Sequence, residues 1–187
     1  MARWDPGAME RLRKAALDLF GEHGYDAVTV TQIAERAGLT RRTFHRYFPD
    51  KREILFAGSD RLPPAVAEAV LAVDPGLAPL RAALSALRAV GTEMSAHLTD
   101  SGRRRAIIDS SAELQERERS KSAAVTAALR DALDRRGAGR TEADLAARVA
   151  SIVAEEAFRR WSDGERPFSE CFDDAEAALH AVLTGDA

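Results

Sequence analysis

Between residues 41 and 51 the chain reads RRTFHRYFPDK, and its polar groups are of kinds that read hydrogen-bonding edges. Arg41 and Arg42 carry planar guanidinium forks that can donate two parallel hydrogen bonds to guanine O6 and N7, worth roughly 1–3 kcal/mol of base discrimination each. Thr43 offers a methyl and a hydroxyl suited to a thymine edge, and His45 can donate, accept or stack on a methyl. Arg46, Tyr47 and Lys51 suit phosphate oxygens, as do Thr29 and Thr31 a short way upstream. Phe44 and Phe48 are one helical turn apart, so both can face a core while the polar residues face outward.

Those side chains need short, well-capped helices to present them. Asp5-Pro6 reads as a helix start, with Leu12, Ala16, Leu19 and Phe20 at helical spacing and Gly24 as the stop. Thr29 is an N-cap for a helix over Val30–Ala37, whose Ile33, Ala34 and Ala37 share a face. Gly38 allows a tight turn, and Thr40 caps a third helix over Arg41–Phe48. Pro49-Asp50 ends that helix, and Asp50 is expected to cap a fourth beginning at Lys51, interrupted at Pro63-Pro64. Two short helices meeting at a glycine, with aromatics inside and Arg-Arg-Thr-x-His outside, favour a helix-turn-helix that fits a major groove. The plainer alternative is a three-helix packing unit with a solvated charged face.

The stretch from Ala16 to Leu55, ALDLFGEHGYDAVTVTQIAERAGLTRRTFHRYFPDKREIL, resembles the tetracycline-repressor (TetR) family. It has Phe and Gly ending the first helix, Thr-x-x-x-Ile-Ala-x-x-Ala-Gly in the second, and Tyr-Phe-Pro-x-Lys leaving the third. The resemblance implies base readers at Arg41, Arg42, Thr43 and His45, and phosphate holders at Thr29, Tyr47 and Lys51. Many relatives carry glycine or a small residue at the position of Arg42. The resemblance further implies a homodimer joined by the last two helices and a body that binds a small effector. Residues 77–183 resemble, more loosely, the C-terminal domain of actinobacterial regulators proposed to respond to acyl-CoA-like ligands.

The remaining sequence is Ala-, Leu-, Arg- and Glu-rich with weak breaks at Asp74-Pro75-Gly76, Ser101-Gly102, Gly137 and Gly139, and Asp163-Gly164. Helices are expected over 77–98, Arg103–Ser110, about 112–136, from an N-cap at Thr141, and after Pro167. The expected fold is all-α, about nine helices. It comprises a three-helix DNA-binding head over residues 1–56 and a larger helical ligand-binding and dimerisation domain over residues 57–187. The net charge of −3 hides a split, because residues 1–56 hold ten Lys and Arg against eight Asp and Glu, which leaves −5 for the rest.

Three groups of residues in the body carry alternatives. Leu84, Leu87, Met94, Ile107, Ile108, Val125, Phe158 and Trp161, with His97 one turn from Met94, either line an effector cavity or form ordinary core. Arg103 and Arg104, followed by Arg105, either receive an anionic effector such as the CoA phosphates or face solvent. Leu145, Val149, Ile152, Phe172, Leu179 and Val182 form either a twofold seam or intrachain core. The need to pair half-sites on DNA favours the seam.

Catalysis finds little support. The histidines His23, His45, His97 and His180 lack metal-ligand spacing, there is no phosphate loop or nucleophile elbow, and the lone Cys171 excludes an intramolecular disulfide. No enzyme activity, cofactor or metal is expected. No run approaches the roughly 20 apolar residues of a membrane span, and the N-terminus lacks a secretory core, so a cytoplasmic, bacterial setting is expected. The expected function is a ligand-responsive repressor binding a palindromic operator as a homodimer. The alternatives are an activator of the same fold and a helical acyl- or lipid-binding protein.

Overall fold

A computed structural model describes residues 7–164 and 166–185. The Asp5-Pro6 helix start lies outside the described residues. The described chain holds nine α-helices and one 3-10 turn and no strand. It divides into two units: residues 1–58 with 102–118, and residues 59–101 with 119–187. Each is described by itself.

The first unit is the head. α1 (Ala8–His23) ends where Gly24, at φ 79°, donates its N–H back to the Phe20 carbonyl. α2 (Val30–Arg36) starts in a capping box: Gln32 N–H donates to Thr29 Oγ1 at 3.3 Å, and Thr29 N–H donates to Gln32 Oε1 at 2.8 Å. Gly38, at φ 66°, makes the turn that a side chain would strain. α3 (Arg41–Tyr47) is capped by Thr40, whose Oγ1 accepts from Thr43 N–H at 3.1 Å.

The helix expected from Lys51 does not form. Residues 51–58 are turns, and Ile54, Leu55 and Phe56 are all buried. Three consecutive side chains on a helix point about 100° apart and cannot all enter one core. Asp50 still caps, its Oδ1 accepting from the N–H groups of Arg52 at 2.9 Å and Glu53 at 3.2 Å.

The boundary expected at residue 56 misses the head's last part. α6 (Ser101–Asp109) and the start of α7 (Ala112–Arg135) supply Ile107, Ile108 and Leu114 to the same core as Leu12, Phe20, Ile33 and Phe44. Polar contacts follow the same course. Arg104 donates to the Leu55 carbonyl and lies over the Phe56 ring, and Arg117 Nε donates to Glu53 at 2.6 Å.

The second unit is the body. Its helices are α4 (Leu62–Ala72), α5 (Pro79–Ser95), the rest of α7, α8 (Arg140–Asp163) and α9 (Phe168–Thr184). Pro63 and Pro64 do not break α4. They occupy its first turn, where the missing N–H groups would have no partner in the helix. Likewise α8 starts from Gly139 rather than from a Thr141 cap. α5, α8 and α9 pack around Leu84, Leu87, Val153, Phe168 and Phe172. Gly91 is required there, because a Cβ would overlap the Phe168 ring. Arg88 ties α5 to Asp173 of α9 through two hydrogen bonds of 2.6 and 2.8 Å.

Candidate nucleic-acid interface

α3 has only seven residues, too few to hold a helix in water, so its packing must hold it. Phe44 is 0% exposed and Phe48 is 3% exposed, with ring centroids 5.6 Å apart. Burying such a side chain contributes about 1.5–3 kcal/mol. With that face anchored, Arg41 and His45 form one exposed row and Arg42 and Arg46 another, each pair one turn apart.

The polar groups differ in how far they are already fixed. The hydroxyl of half-buried Thr43 lies 3.0 Å from the Thr40 hydroxyl, which leaves its methyl as the freer group. His45 stands edge-on to Phe44 at 5.5 Å. The Arg46 guanidinium lies 4.9 Å from the centre of the half-buried Tyr47 ring and donates to its hydroxyl at 3.2 Å. Thr29 Oγ1 works within its capping box, also donating to Gln32 Oε1 at 2.8 Å, while Thr31 is exposed in the first turn of α2.

Behind this surface, Arg36 of α2 donates to both carboxylate oxygens of Glu22 in α1 at 3.0 and 2.8 Å. That pairing raises the pKa of Arg36 and lowers that of Glu22. The pair spans the turn between α1 and α2 and carries no periodic trace in the sequence.

Lys51 is placed differently from expectation. Its ammonium donates to three main-chain carbonyls, those of Tyr25 at 2.8 Å, Val28 at 3.0 Å and Asp26 at 3.3 Å. It also sits 4.2 Å from the centre of the Tyr25 ring.

The residues grouped as an effector pocket are split between the units. Ile107 and Ile108 are buried in the head core. Arg103 donates to Asp18 at 3.0 Å and to the Leu17 carbonyl at 3.3 Å. Arg104 is engaged as described, and its burial pushes its pKa down to about 10. Arg105 pairs with Asp109 and Glu118. In the body, Leu84 and Leu87 are buried core, Met94, Val125, Phe158 and Trp161 are half-buried, and His97 is exposed. A surface recess of about 210 Å³ in the body, lined by Pro75, Leu77, Leu133 and Arg136 among others, involves none of these residues.

The residues expected at a twofold seam also divide. Phe172 is 0% exposed in the body core and cannot face a partner. Leu145 and Ile152 are 56% and 64% exposed, Val182 is 78% exposed, and Val149 and Leu179 are half-buried beside them. Leu183, one turn after Leu179, is 70% exposed as well.

Residues 12–57 match the sequence profile of bacterial regulatory proteins of the tetR family, a segment running from α1 through the turns after α3. The matched segment is about a quarter of the chain. TcmR of Streptomyces glaucescens, an HTH-type transcriptional regulator, is 37% identical over 81 residues, 43% of this chain and 36% of TcmR. YdeS of Bacillus subtilis is 38% identical over 64 residues, 32% of each chain. The matches thus span about a third of these relatives' lengths. Among solved structures, the SmeT–triclosan complex covers 92% of this chain and 91% of its own at 21% identity, with a TM-score of 0.56. FadR of Bacillus halodurans covers 91% and 96% at 16% identity, with a TM-score of 0.55. These two share the fold. Among the described residues, no helix is long and apolar enough to cross a membrane.

Proposed function

We propose that this chain is a DNA-binding transcriptional regulator of the TetR family that acts as a ligand-responsive repressor. The observation that supports this most is α3, which carries Arg41, Arg42, His45 and Arg46 outward from a face anchored by Phe44 and Phe48. In this reading Arg41, Arg42, the Thr43 methyl and His45 read base edges, and Thr31, Arg46 and Tyr47 hold phosphates. A seven-residue helix covers few base pairs, so two copies on a palindromic operator are needed for adequate specificity. The exposed row of Leu145, Ile152, Val182 and Leu183 is the surface for that second copy.

The effector is a small, largely apolar molecule taken up by the body among Met94, Val125, Phe158 and Trp161. SmeT, which shares the fold, is a complex with one such molecule, triclosan. An acyl-CoA-like effector fits an apolar body, but Arg103 and Arg104 are committed within the head and are not its phosphate ligands. Such an effector acts only through its different affinity for the DNA-competent and incompetent states. Cytoplasmic action follows, since the duplex lies there.

The test is selection of duplexes from a random pool by the full chain, followed by gel shift against excess unrelated DNA at moderate salt. An enriched palindrome that resists competition is expected. Loss of all binding to competitor would overturn the reading.

A further inference from the structure

The three ammonium hydrogens of Lys51 each find an acceptor in the protein's own backbone. From that geometry we infer that Lys51 is a positioning residue that staples the helix-turn-helix closed, and that it does not hold a DNA phosphate. The inference rests on the DNA-binding reading for its consequence, though not for its geometry.

An ammonium has three hydrogens and no acceptor. Here three carbonyls lie within 3.3 Å of Nζ, so each hydrogen has an acceptor, and the face of Tyr25 completes the cradle at 4.2 Å. A phosphate would have to draw the ammonium out of this set and leave the three carbonyls to water. Tyr25 is itself fixed from behind, with its ring 5.2 Å from that of Phe20, and it is 3% exposed. Burial raises its phenol pKa, so the ring under the ammonium stays neutral.

The place of the staple in the chain gives it a function. Residues 25–28 lead straight into Thr29, the N-cap of α2, and Lys51 comes just after Phe48, the C-cap of α3. Gly38 joins the two helices at their inner ends. Lys51 joins the start of α2 to the end of α3, so the two-helix unit is tied at both ends. Release of the staple frees the angle between α2 and α3, and with it the aim of Arg41, Arg42 and His45. The fourth helix expected from Lys51 would have carried this side chain on a regular helical face. The turns at residues 51–58 allow it to fold back instead.

The chain has three lysines, Lys14, Lys51 and Lys121, so lysine-selective labelling resolves each of them. The experiment uses the full chain, wild type and Lys51→Met, with Lys51→Arg as the conservative variant. Three quantities are read: the 15N ammonium signal of Lys51 with and without DNA, urea unfolding without DNA, and the salt slope of binding to a duplex selected by the wild-type chain. The staple requires a slowly exchanging Lys51 ammonium in the free protein whose shift does not change when DNA binds. It requires Lys51→Met to unfold at lower urea and to bind DNA on the order of tenfold more weakly, with an unchanged salt slope. Lys51→Arg, which keeps donors at the site, recovers part of both losses.

A freely exchanging ammonium that becomes protected only on DNA overturns the inference. So does a Lys51→Met salt slope flatter by about 0.9, the value of one lost phosphate contact, with unfolding unchanged. If the wild-type chain binds no DNA, the functional reading fails, while the ammonium signal and the unfolding curve still decide for or against the staple.

Discussion

The apolar row on the last two helices invites a substitution at Ile152. Its side chain is 64% exposed in a single copy, so about two thirds of its surface is available to a partner. Complete burial of an isoleucine contributes about 1.5–3 kcal/mol, which makes the available part worth about 1–2 kcal/mol. A twofold seam contains every residue twice, so the loss per dimer is about 2–4 kcal/mol. At 1.4 kcal/mol per decade this raises the dimer dissociation constant about thirtyfold to several hundredfold. Ile152→Glu adds the desolvation of two carboxylates, so these figures are a lower bound. Sedimentation equilibrium over a micromolar concentration range reads the shift directly. Urea unfolding checks that the protomer is intact, as expected for an exposed position. Operator affinity should fall with the dimer, because two linked heads are lost as a unit. A wild-type chain that is already monomeric at micromolar concentration would refute the reasoning, as would an Ile152→Glu dimer as tight as wild type.

Three further outcomes follow from the head. Arg41→Ala should relax base preference at one position per half-site by about 1–3 kcal/mol, read as a changed consensus in duplex selection, and an unaltered consensus would remove Arg41 from base reading. Arg104→Met should lower head stability by about 1–3 kcal/mol, since it leaves the Leu55 carbonyl without its buried donor, and a wild-type urea curve would show that contact to be immaterial. Asp50 has a pKa lowered mainly by its hydrogen bond from the Arg52 side chain, so its contribution is present above the ordinary carboxylate value of about 3.9 and is lost as pH falls through the lower folded value. Its side chain is 39% exposed, so solvent screening holds that contribution below about 1 kcal/mol. Asp50→Asn should therefore flatten the acid limb of the unfolding curve below the ordinary carboxylate value, and an identical limb would refute the assignment.

Much of the head was legible because its cues are local. Thr29 and Thr40 each cap the helix that follows, Gly38 lies at the turn, and Phe44 and Phe48 are buried together as their spacing requires. The body was legible only as helices. An apolar residue on α8 or α9 has two possible faces to occupy, and periodicity does not say which face the rest of the chain covers. Phe172 therefore read like Val182, although the first is enclosed and the second is open. Long-range placement was also closed to inspection. Nothing within residues 102–118 says that Ile107, Ile108 and Leu114 complete a core begun by Leu12. Lys51 finds its acceptors 23 to 26 residues earlier, a distance with no local signature.

The return of residues 102–118 to the head also sets a timetable for biosynthesis. A ribosome releases the first 58 residues with their recognition helix, but Ile107, Ile108 and Leu114 are made up to about 60 residues later. At about 5–20 residues per second the nascent chain waits some 3–12 seconds before these side chains can join that core. For that interval the chain carries exposed arginines on a domain whose core still lacks three of its side chains. Truncation before residue 107 would make that interval permanent.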